Sequence, residues 1–333
     1  MARFHLVFSE EMSLVTCGLV VVLAAAGAIA WMTQPVRPAA GLAAMETEAD
    51  PRRLEAGVRR LVGEFFPRDF GHPTILARAA AWISEELSRS GATVSEQIFT
   101  TNGQTYRNVI ARFGPQTRDV AVVGAHYDTA GELPGADDNA SGVAGLIEVA
   151  RLLEGKHLSR TVELVAFTLE EMPFFGTGLQ GSAVHARSLA KDGRSVAGML
   201  CLEMIGCFED APGSQQFPFP PLRLFYPGRG NFIAVVGNVS GARLVRRVKR
   251  AMRRAAELPV CSINAPRWVP GIDLSDHASY WREGFPAVMV TDTAFYRNDR
   301  YHTAGDTPET LDYRCMARVV DGVLRAVLDL AGT

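Results

Sequence analysis

Residues 120–153, VAVVGAHYDTAGELPGADDNASGVAGLIEVARLL, contain the clearest indication of the fold. The stretch opens with a short apolar run at 120–123 that is typical of a buried strand, and apolar residues recur at helical spacing over 143–153. A strand followed by a helix in this way predicts a parallel sheet covered by helices. A histidine and three aspartates lie between the two elements, where α/β sheets bind their ligands.

The same alternation extends to both sides of this stretch. Helices are predicted at 54–62 and 75–87, before strands at 93–99 and 106–113. Further strands are predicted at 161–169, 196–202, 232–236 and 287–291, and further helices at 182–191, 242–256 and 311–330. Residues 208–229 form an irregular insertion. The pattern predicts an α/β protein with one largely parallel sheet and helices on both of its faces.

The composition is that of a globular protein, with 47% hydrophobic and 21% charged residues in a chain of 333. At ~150 residues per domain this length suggests two domains. The 34 basic and 36 acidic residues leave a net charge of −2, which gives no electrostatic basis for binding nucleic acid. Five cysteines are too few for a disulfide scaffold in a chain of this length, and the lack of C-x-x-C spacing argues against a thiolate zinc site and thioredoxin-like chemistry.

The N-terminal segment differs from the rest of the chain. No charged residue occurs between Met12 and Val36, and the run at 14–32 is long and apolar enough to cross a bilayer, which takes ~20 residues. We therefore expect a signal anchor or transmembrane helix over 1–32, a linker over 33–49, and a folded body over 50–333. The alternative is a signal peptide that is cleaved near Ala30.

Five groups of acidic or imidazole residues fall at the ends of predicted strands or before the last helix. They are His126 with Asp128, Asp137 with Asp138, Glu170 with Glu171, Glu203, and Tyr301 with His302. Each is ambiguous alone, since a lone histidine is more often structural and paired aspartates can cap a helix. Together they supply nitrogen and oxygen donors that suit a pair of Zn²⁺ ions, with Mn²⁺ or Co²⁺ as substitutes.

The order of these motifs resembles one known family. The series H-x-D, G-A-D-D-N-x-S-G, E-E, an acid before M-I-G, S-D-H and Y-H-T is similar to that of the co-catalytic zinc aminopeptidases. That family also contains glutamate carboxypeptidase II, the glutaminyl cyclases and the transferrin receptor ectodomain. The resemblance covers 50–333 and implies a single zinc metallopeptidase domain. It further implies a three-layer α/β/α sandwich over a mixed, mostly parallel sheet of about eight strands.

The resemblance also implies a set of metal ligands. His126 and Glu203 would hold one zinc ion, Glu171 and His302 the other, and Asp138 would bridge the two. The family has a cis peptide bond after its bridging aspartate, so we expect one after Asp138. The family usually has aspartate at the position of Glu203. The longer side chain of glutamate could change the affinity for the metal ion at that position and therefore its occupancy.

Further residues receive roles from the same resemblance. Glu170 would be the general base, Asp128 would orient His126, and Tyr301 would donate a hydrogen bond to the developing oxyanion. Asp276 and His277 belong to the S-D-H motif, which implies a place near the substrate pocket without a defined role.

The function expected from these residues is a two-zinc exopeptidase acting on the N-terminus of peptides. One alternative is a single-zinc glutaminyl cyclase, although that branch usually has tryptophan where this chain has Tyr301. The other is a metal-free receptor-type ectodomain, which the retained ligand positions argue against. The expected partners are a peptide substrate and, through 14–32, a membrane. The catalytic domain would then be extracytoplasmic and anchored, or secreted or periplasmic after cleavage. The oligomeric state is left open.

Overall fold

The computed structural model describes residues 2–36, 48–255 and 257–332. Most of the predicted linker at 33–49 therefore lies outside the described residues. The helices are α1 (Ala2–Thr33), α2 (Pro51–Glu64), α3 (Pro73–Ser88), α4 (Gly142–Leu153), α5 (Gly181–Lys191), α6 (Ala242–Ala255), α7 (His277–Arg282) and α8 (Tyr313–Ala331). The strands are β1 (Thr93–Thr101), β2 (Gln104–Phe113), β3 (Asp119–His126), β4 (Thr161–Phe167), β5 (Ser195–Glu203), β6 (Ile233–Gly237), β7 (Val260–Asn264) and β8 (Ala287–Thr291).

The strands form one eight-stranded sheet in the order β1-β2-β4-β3-β5-β8-β6-β7. The central strands β4, β3, β5 and β8 run parallel to one another. β1 pairs antiparallel with β2, as do β2 with β4 and β6 with β8, whereas β6 and β7 are parallel. The expectation of a mixed, mostly parallel sheet of about eight strands is confirmed.

Helices cover both faces of this sheet, and β3 shows why. Its residues alternate between two apolar clusters, because successive side chains of a strand point to opposite faces. Ala121 and Val123 pack in the cluster that contains α2, α3, α4, α6 and α8. Val120 and Val122 pack in the cluster that contains residues of α5 and α7. The sheet is therefore buried on both sides, in three layers.

Local sequence signals explain where the helices begin and end. Asp50 caps α2 by accepting a hydrogen bond from the Arg52 N–H, and Pro51 occupies the first helical position. Asp312 caps α8 in the same way, and that helix ends at Gly332, whose φ of 75° is left-handed.

The structure adds two elements that the sequence patterns missed. The edge strand β7 has only five residues, and polar side chains interrupt its apolar ones. The helix α7 has six residues, fewer than two turns, which is too short to produce a periodic pattern.

The N-terminal helix α1 includes the whole run at 14–32. Among the residues that the structure describes, none of the helices combines the length and the apolar character needed to cross a membrane. The predicted transmembrane segment is therefore not confirmed.

A buried carboxylate joins α5 to the sheet. Glu163 of β4 accepts a hydrogen bond from Arg112 Nε at 2.9 Å, and its second oxygen lies 3.3 Å from His185 Nε2 of α5. Burial opposes ionisation of Glu163, but hydrogen bonds from His185 and Arg112 outweigh it and lower the pKa to about 2.

This pKa predicts a loss of stability in acid. A carboxyl group whose pKa is lowered by folding stabilises the native state above its ordinary pKa, here 4.5. That stability disappears as the pH falls towards 2, and the free energy of unfolding should drop by about 3 kcal/mol over this interval. Urea unfolding of Glu163→Gln between pH 7 and pH 2 should show a lower plateau and a flatter acid limb. Glu85→Gln removes an exposed ion pair with Arg89 and should leave the profile close to that of the parent chain. Parallel acid limbs for Glu163→Gln and the parent chain would contradict this assignment.

Candidate metal centre

The predicted site residues meet at the carboxyl edge of the sheet. His126 ends β3, Glu203 ends β5, and Glu170 and Glu171 follow β4. These three strands are parallel neighbours, so their carboxyl ends lie side by side, and ligands of α/β sheets bind at that edge. All four side chains are buried.

Asp138 reaches the same place from the irregular turn between β3 and α4. Gly135 opens that turn with a φ of 56°, and a Cβ there would come within 2.3 Å of the Asp138 carbonyl oxygen. Gly142 closes it, where a Cβ would lie 2.3 Å from Asn139 Oδ1. The peptide bond between Asp138 and Asn139 is cis, as the family resemblance implied. The two glycines of the motif are therefore required by the backbone that presents Asp138.

Two side chains tie this turn to neighbouring segments. Asn139 donates to the carbonyl oxygen of Leu202 at 2.8 Å, and its Oδ1 accepts from the Met204 N–H at 3.2 Å, which connects the turn to the end of β5. Asp306 accepts from the N–H groups of Asp137 and Asp138 at 2.9 and 3.1 Å. Because Asp306 lies four residues after His302, this contact also holds the segment that carries the last histidine.

The donor atoms form two groups that share Asp138. Its Oδ1 lies 3.3 Å from His126 Nε2, which is 3.4 Å from Glu203 Oε2. Its Oδ2 lies 3.0 Å from His302 Nε2, which is 3.3 Å from Glu171 Oε1. Donors of a tetrahedral zinc ion lie about 3.3–3.4 Å apart when each bond is about 2.0–2.1 Å long. The spacing therefore fits one ion in each group, with the two oxygens of Asp138 facing different ions.

The electrostatics also favour bound cations. Burial and the neighbouring Asp138 raise the pKa of Glu171 to about 7, and burial raises that of Glu203. Burial opposes protonation of His302, but hydrogen bonds that its ring donates to the Asp138 and Glu171 carboxylates raise its pKa to about 10. The pKa of His126 is also raised, because nearby carboxylates, first Glu203, outweigh its burial. Like charges crowded in a buried site are destabilising unless a counter-charge is present, and Zn²⁺ suits these nitrogen and oxygen donors.

Two further acids lie beside the donor groups. Burial raises the pKa of Glu170 well above its ordinary value despite the charge of His126, and Glu171 and Asp276 add to the effect. Burial likewise raises the pKa of Asp276 to about 7. Its Oδ1 accepts from Gln180 Nε2 at 3.1 Å, and its buried Oδ2 has no hydrogen-bond partner within the described structure. Neither acid belongs to a donor group, and Glu170 is the more accessible of the two, at 6% exposure against 0% for Asp276.

The structure places the remaining predicted residues as follows. The backbone carbonyl oxygen of Asp128 lies 3.1 Å from His126 Nδ1, whereas the Asp128 carboxylate lies 3.7 Å from it. The carboxylate accepts a hydrogen bond from the Glu171 N–H. Tyr301 stacks on the His302 ring, with centroids 3.8 Å apart. His277 lies outside both donor groups, because its Nε2 faces the Ile272 carbonyl at 2.8 Å.

The structure also adds supporting residues that the sequence did not single out. Ser275 donates to Glu203 Oε2 at 2.6 Å and therefore holds the side chain that differs from the family pattern. Ser275 is the first residue of the S-D-H motif, and its membership of that motif is the sequence feature that could have identified it. Arg68 is fully buried and donates to the carbonyl oxygens of Leu61, Tyr127, Pro134 and Gly135. No sequence pattern pointed to it.

A large apolar cavity opens beside the metal centre. Glu203 and Tyr301 line its end nearest the donor groups. The insertion at 208–229 supplies one wall, with Phe217, Leu222 and Tyr226. The opposite wall comes from the sheet and from the segment 269–274. A ligand held at the metal centre could thus place an apolar group in this cavity.

A shared aspartate between two imidazole and carboxylate groups, at the edge of an α/β sheet, is an arrangement typical of metal-dependent hydrolases. Within that class the sequence is more specific. Residues 108–327 match the model of peptidase family M28, and the chain belongs to this family. Membership supports the expected metallo-aminopeptidase.

Individual relatives agree with the family match. The chain is 48% identical over 284 residues to the uncharacterized protein YfbL of Escherichia coli (strain K12), covering 83% of this chain and 87% of that one. It is 30% identical over 249 residues to a probable leucine aminopeptidase of Trichophyton verrucosum, covering 71% of this chain and 61% of the relative.

Solved structures show the same fold. A zinc aminopeptidase from Bacillus subtilis, BSAP, superposes with a TM-score of 0.67 at 14% identity, covering 85% of this chain and 95% of that one. A glutaminyl cyclase of Fimbriiglobus ruber superposes with a TM-score of 0.63 at 22% identity, covering 88% of this chain and 99% of that one. Both the aminopeptidase and the cyclase architectures are therefore compatible with this chain.

The contact between Ser275 and Glu203 predicts a change in metal affinity. Ser275→Ala removes the hydrogen bond that fixes Glu203, and loss of such a support weakens metal binding by about 10–100-fold. Zinc affinity should be measured by competition with a chromogenic chelator. Ser279→Ala is the matched control, because Ser279 is also buried but its hydroxyl contacts Ser182. Equal zinc affinities for the two variants would show that Ser275 does not position the ligand.

Proposed function

We propose that this protein is an aminopeptidase with two zinc ions, which removes N-terminal residues with apolar side chains from peptides. The observation that carries the proposal is Asp138, whose two oxygens face two separate imidazole and carboxylate groups. His126 and Glu203 would complete one ion's ligands, and Glu171 and His302 the other's. Family membership and relatives named as aminopeptidases support the reaction class.

The chain's own residues would supply the proton transfers. Bound zinc polarises a carbonyl group and lowers the pKa of water. Glu170 would accept the proton of the attacking water and pass it to the leaving amine. Its burial suits this role, because burial raises the pKa of the carboxyl group towards neutral pH. A group whose pKa lies near the working pH can both accept and donate a proton efficiently. Tyr301 would donate a hydrogen bond to the oxyanion.

The charges around the centre favour a free amine over a free carboxylate as the recognised end of the substrate. Glu170 and Asp276 remain after both donor groups are complete, and both are buried acids. An ammonium group would be attracted to them, whereas a carboxylate would be repelled. Among the residues that the structure describes, no lysine or arginine lines the adjacent cavity. The apolar walls of the cavity would hold the side chain of the first residue.

A glutaminyl cyclase is the second candidate, because the match to the Fimbriiglobus ruber enzyme covers nearly all of that chain. Cyclisation of N-terminal glutamine would use one zinc ion and the same neighbouring acids. The intact second donor group, His302 with Glu171 and Asp138, favours the two-ion hydrolase. The same completeness argues against a metal-free receptor ectodomain.

Replacement of Glu170 tests the mechanism. Glu170→Gln keeps the shape but removes the base, so turnover should fall by about 10²–10⁴-fold. Metal analysis should still find close to two zinc ions per chain, because Glu170 lies outside the donor groups. Glu154→Gln, at an exposed position after α4, should retain full activity. Substantial hydrolysis by Glu170→Gln would overturn the assignment, and one zinc ion in a fully active parent chain would remove Glu203 from the ligands.

A panel of substrates separates the candidate reactions. Leucine p-nitroanilide, its N-acetylated form and a peptide with N-terminal glutamine should be assayed together. We expect release from the free leucine amine and none from the blocked one, because the blocked amine carries no charge for Glu170 and Asp276. Pyroglutamate from the third substrate, without anilide release, would establish the cyclase instead.

A further inference from the structure

The helix α6 presents a basic stripe to solvent. Arg243, Arg247, Arg250 and Arg254 follow the spacing i, i+4, i+7, i+11, which places them on one side of the helix, and all four are exposed. The opposite side is buried and apolar, with Leu244, Val245, Val248 and Met252. The arginines are therefore not needed for folding of the helix onto the sheet.

Most of this charge is unneutralised. Within the described residues, Arg247 pairs with Asp329 of α8, whereas Arg243, Arg250 and Arg254 have no ion pair. The neighbouring helix α8, which packs against α6, adds three exposed arginines at 314, 318 and 325. The chain as a whole has a net charge of −2, so this outer layer is a local concentration of positive charge.

The N-terminal helix ends directly beside the stripe. Its last turn and the residues after it leave carbonyl groups without helical partners, where the helix dipole is negative. Basic side chains of α6 donate to these carbonyls, Lys249 to Thr33 at 2.7 Å, Arg246 to Pro35 at 3.2 Å and Arg253 to Val36 at 3.0 Å. Asn264 of β7 donates to Trp31 at 3.0 Å. The described part of α1 is thus fastened to α6 and β7 at its C-terminal end.

The segment of α1 before this attachment is apolar and open to solvent. Residues 19–28 are all exposed, and the side chains from Leu19 to Leu23 have exposures of 59–67%. A contiguous apolar surface of this kind marks an interaction site.

We propose that the α6 stripe and residues 19–28 of α1 together bind the surface of an anionic phospholipid bilayer. The arginines would contact lipid phosphates, and the apolar residues of α1 would enter the region between headgroups and acyl chains. Nucleic acid would satisfy the arginines but offers no environment for the apolar helix. A bilayer surface supplies both.

Vesicle co-sedimentation of the full chain tests this inference. Arg243, Arg250 and Arg254 are replaced together by glutamine, and the matched control replaces Arg52, Arg118 and Arg187, three exposed arginines outside α6 and α8. Vesicles of pure phosphatidylcholine are compared with vesicles containing 30% phosphatidylglycerol. At about 1 kcal/mol per arginine near a charged surface, the α6 variant should lose about 100-fold in partitioning to anionic vesicles.

The control variant and the parent chain should sediment equally with anionic vesicles, and added salt should weaken both. Hydrolysis of a soluble peptide should be unchanged in both variants, which keeps this test independent of the proposed catalytic function. Equal sedimentation of the α6 variant and the parent chain would overturn the proposal. So would binding of the parent chain to duplex DNA without binding to anionic vesicles.

Discussion

A single carboxylate, that of Asp138, imposes the main constraint on this molecule, because its two oxygens must face two imidazoles that arrive from distant parts of the chain. Three segments, which carry His126, Asp138 and His302, have to converge within hydrogen-bond distance for this to happen. Polar cross-links hold them there, with Asn139 reaching the end of β5 and Asp306 joining the segment of His302. The Asp128 carboxylate fastens the residues after β4. The site is therefore rigid through side-chain to backbone hydrogen bonds rather than through regular structure.

This convergence has an energetic cost that the surrounding structure offsets. Buried acids repel one another, and a buried guanidinium such as that of Arg68 loses its hydration. Burial lowers the pKa of Arg68 to about 10, although Asp306, Asp128 and Asp138 counter the effect. Its hydrogen bonds to four backbone carbonyls compensate for the lost water and hold the turn before Asp138. The positive charge of Arg68 and the negative charges of these three aspartates therefore stabilise each other.

Much of this arrangement could be predicted from local sequence, because the informative signals were themselves local. The apolar run at 120–123 and the helical spacing at 143–153 predicted β3 and α4, and the acids at strand ends predicted the location of the site. The partners of contacts across long sequence separations could not be predicted in this way. Ser275, for example, contacts Glu203 from 72 positions away. The group of Asp128 nearest to His126 is its backbone carbonyl, which every residue possesses and which a sequence motif therefore does not reveal. His277 belongs to a motif, but its side chain contacts the nearby backbone carbonyl of Ile272 and not the metal centre.

The edge strand β7 touches both the N-terminal helix and the apolar cavity, on alternate residues. Ser262 and Asn264 hydrogen-bond to α1, whereas Cys261 and Ile263 line the cavity. One strand of a pleated sheet thus contacts both of them. A ligand in the cavity that shifted this strand would change the docking of α1, and by thermodynamic reciprocity the docking of α1 would change the affinity for that ligand by the same factor.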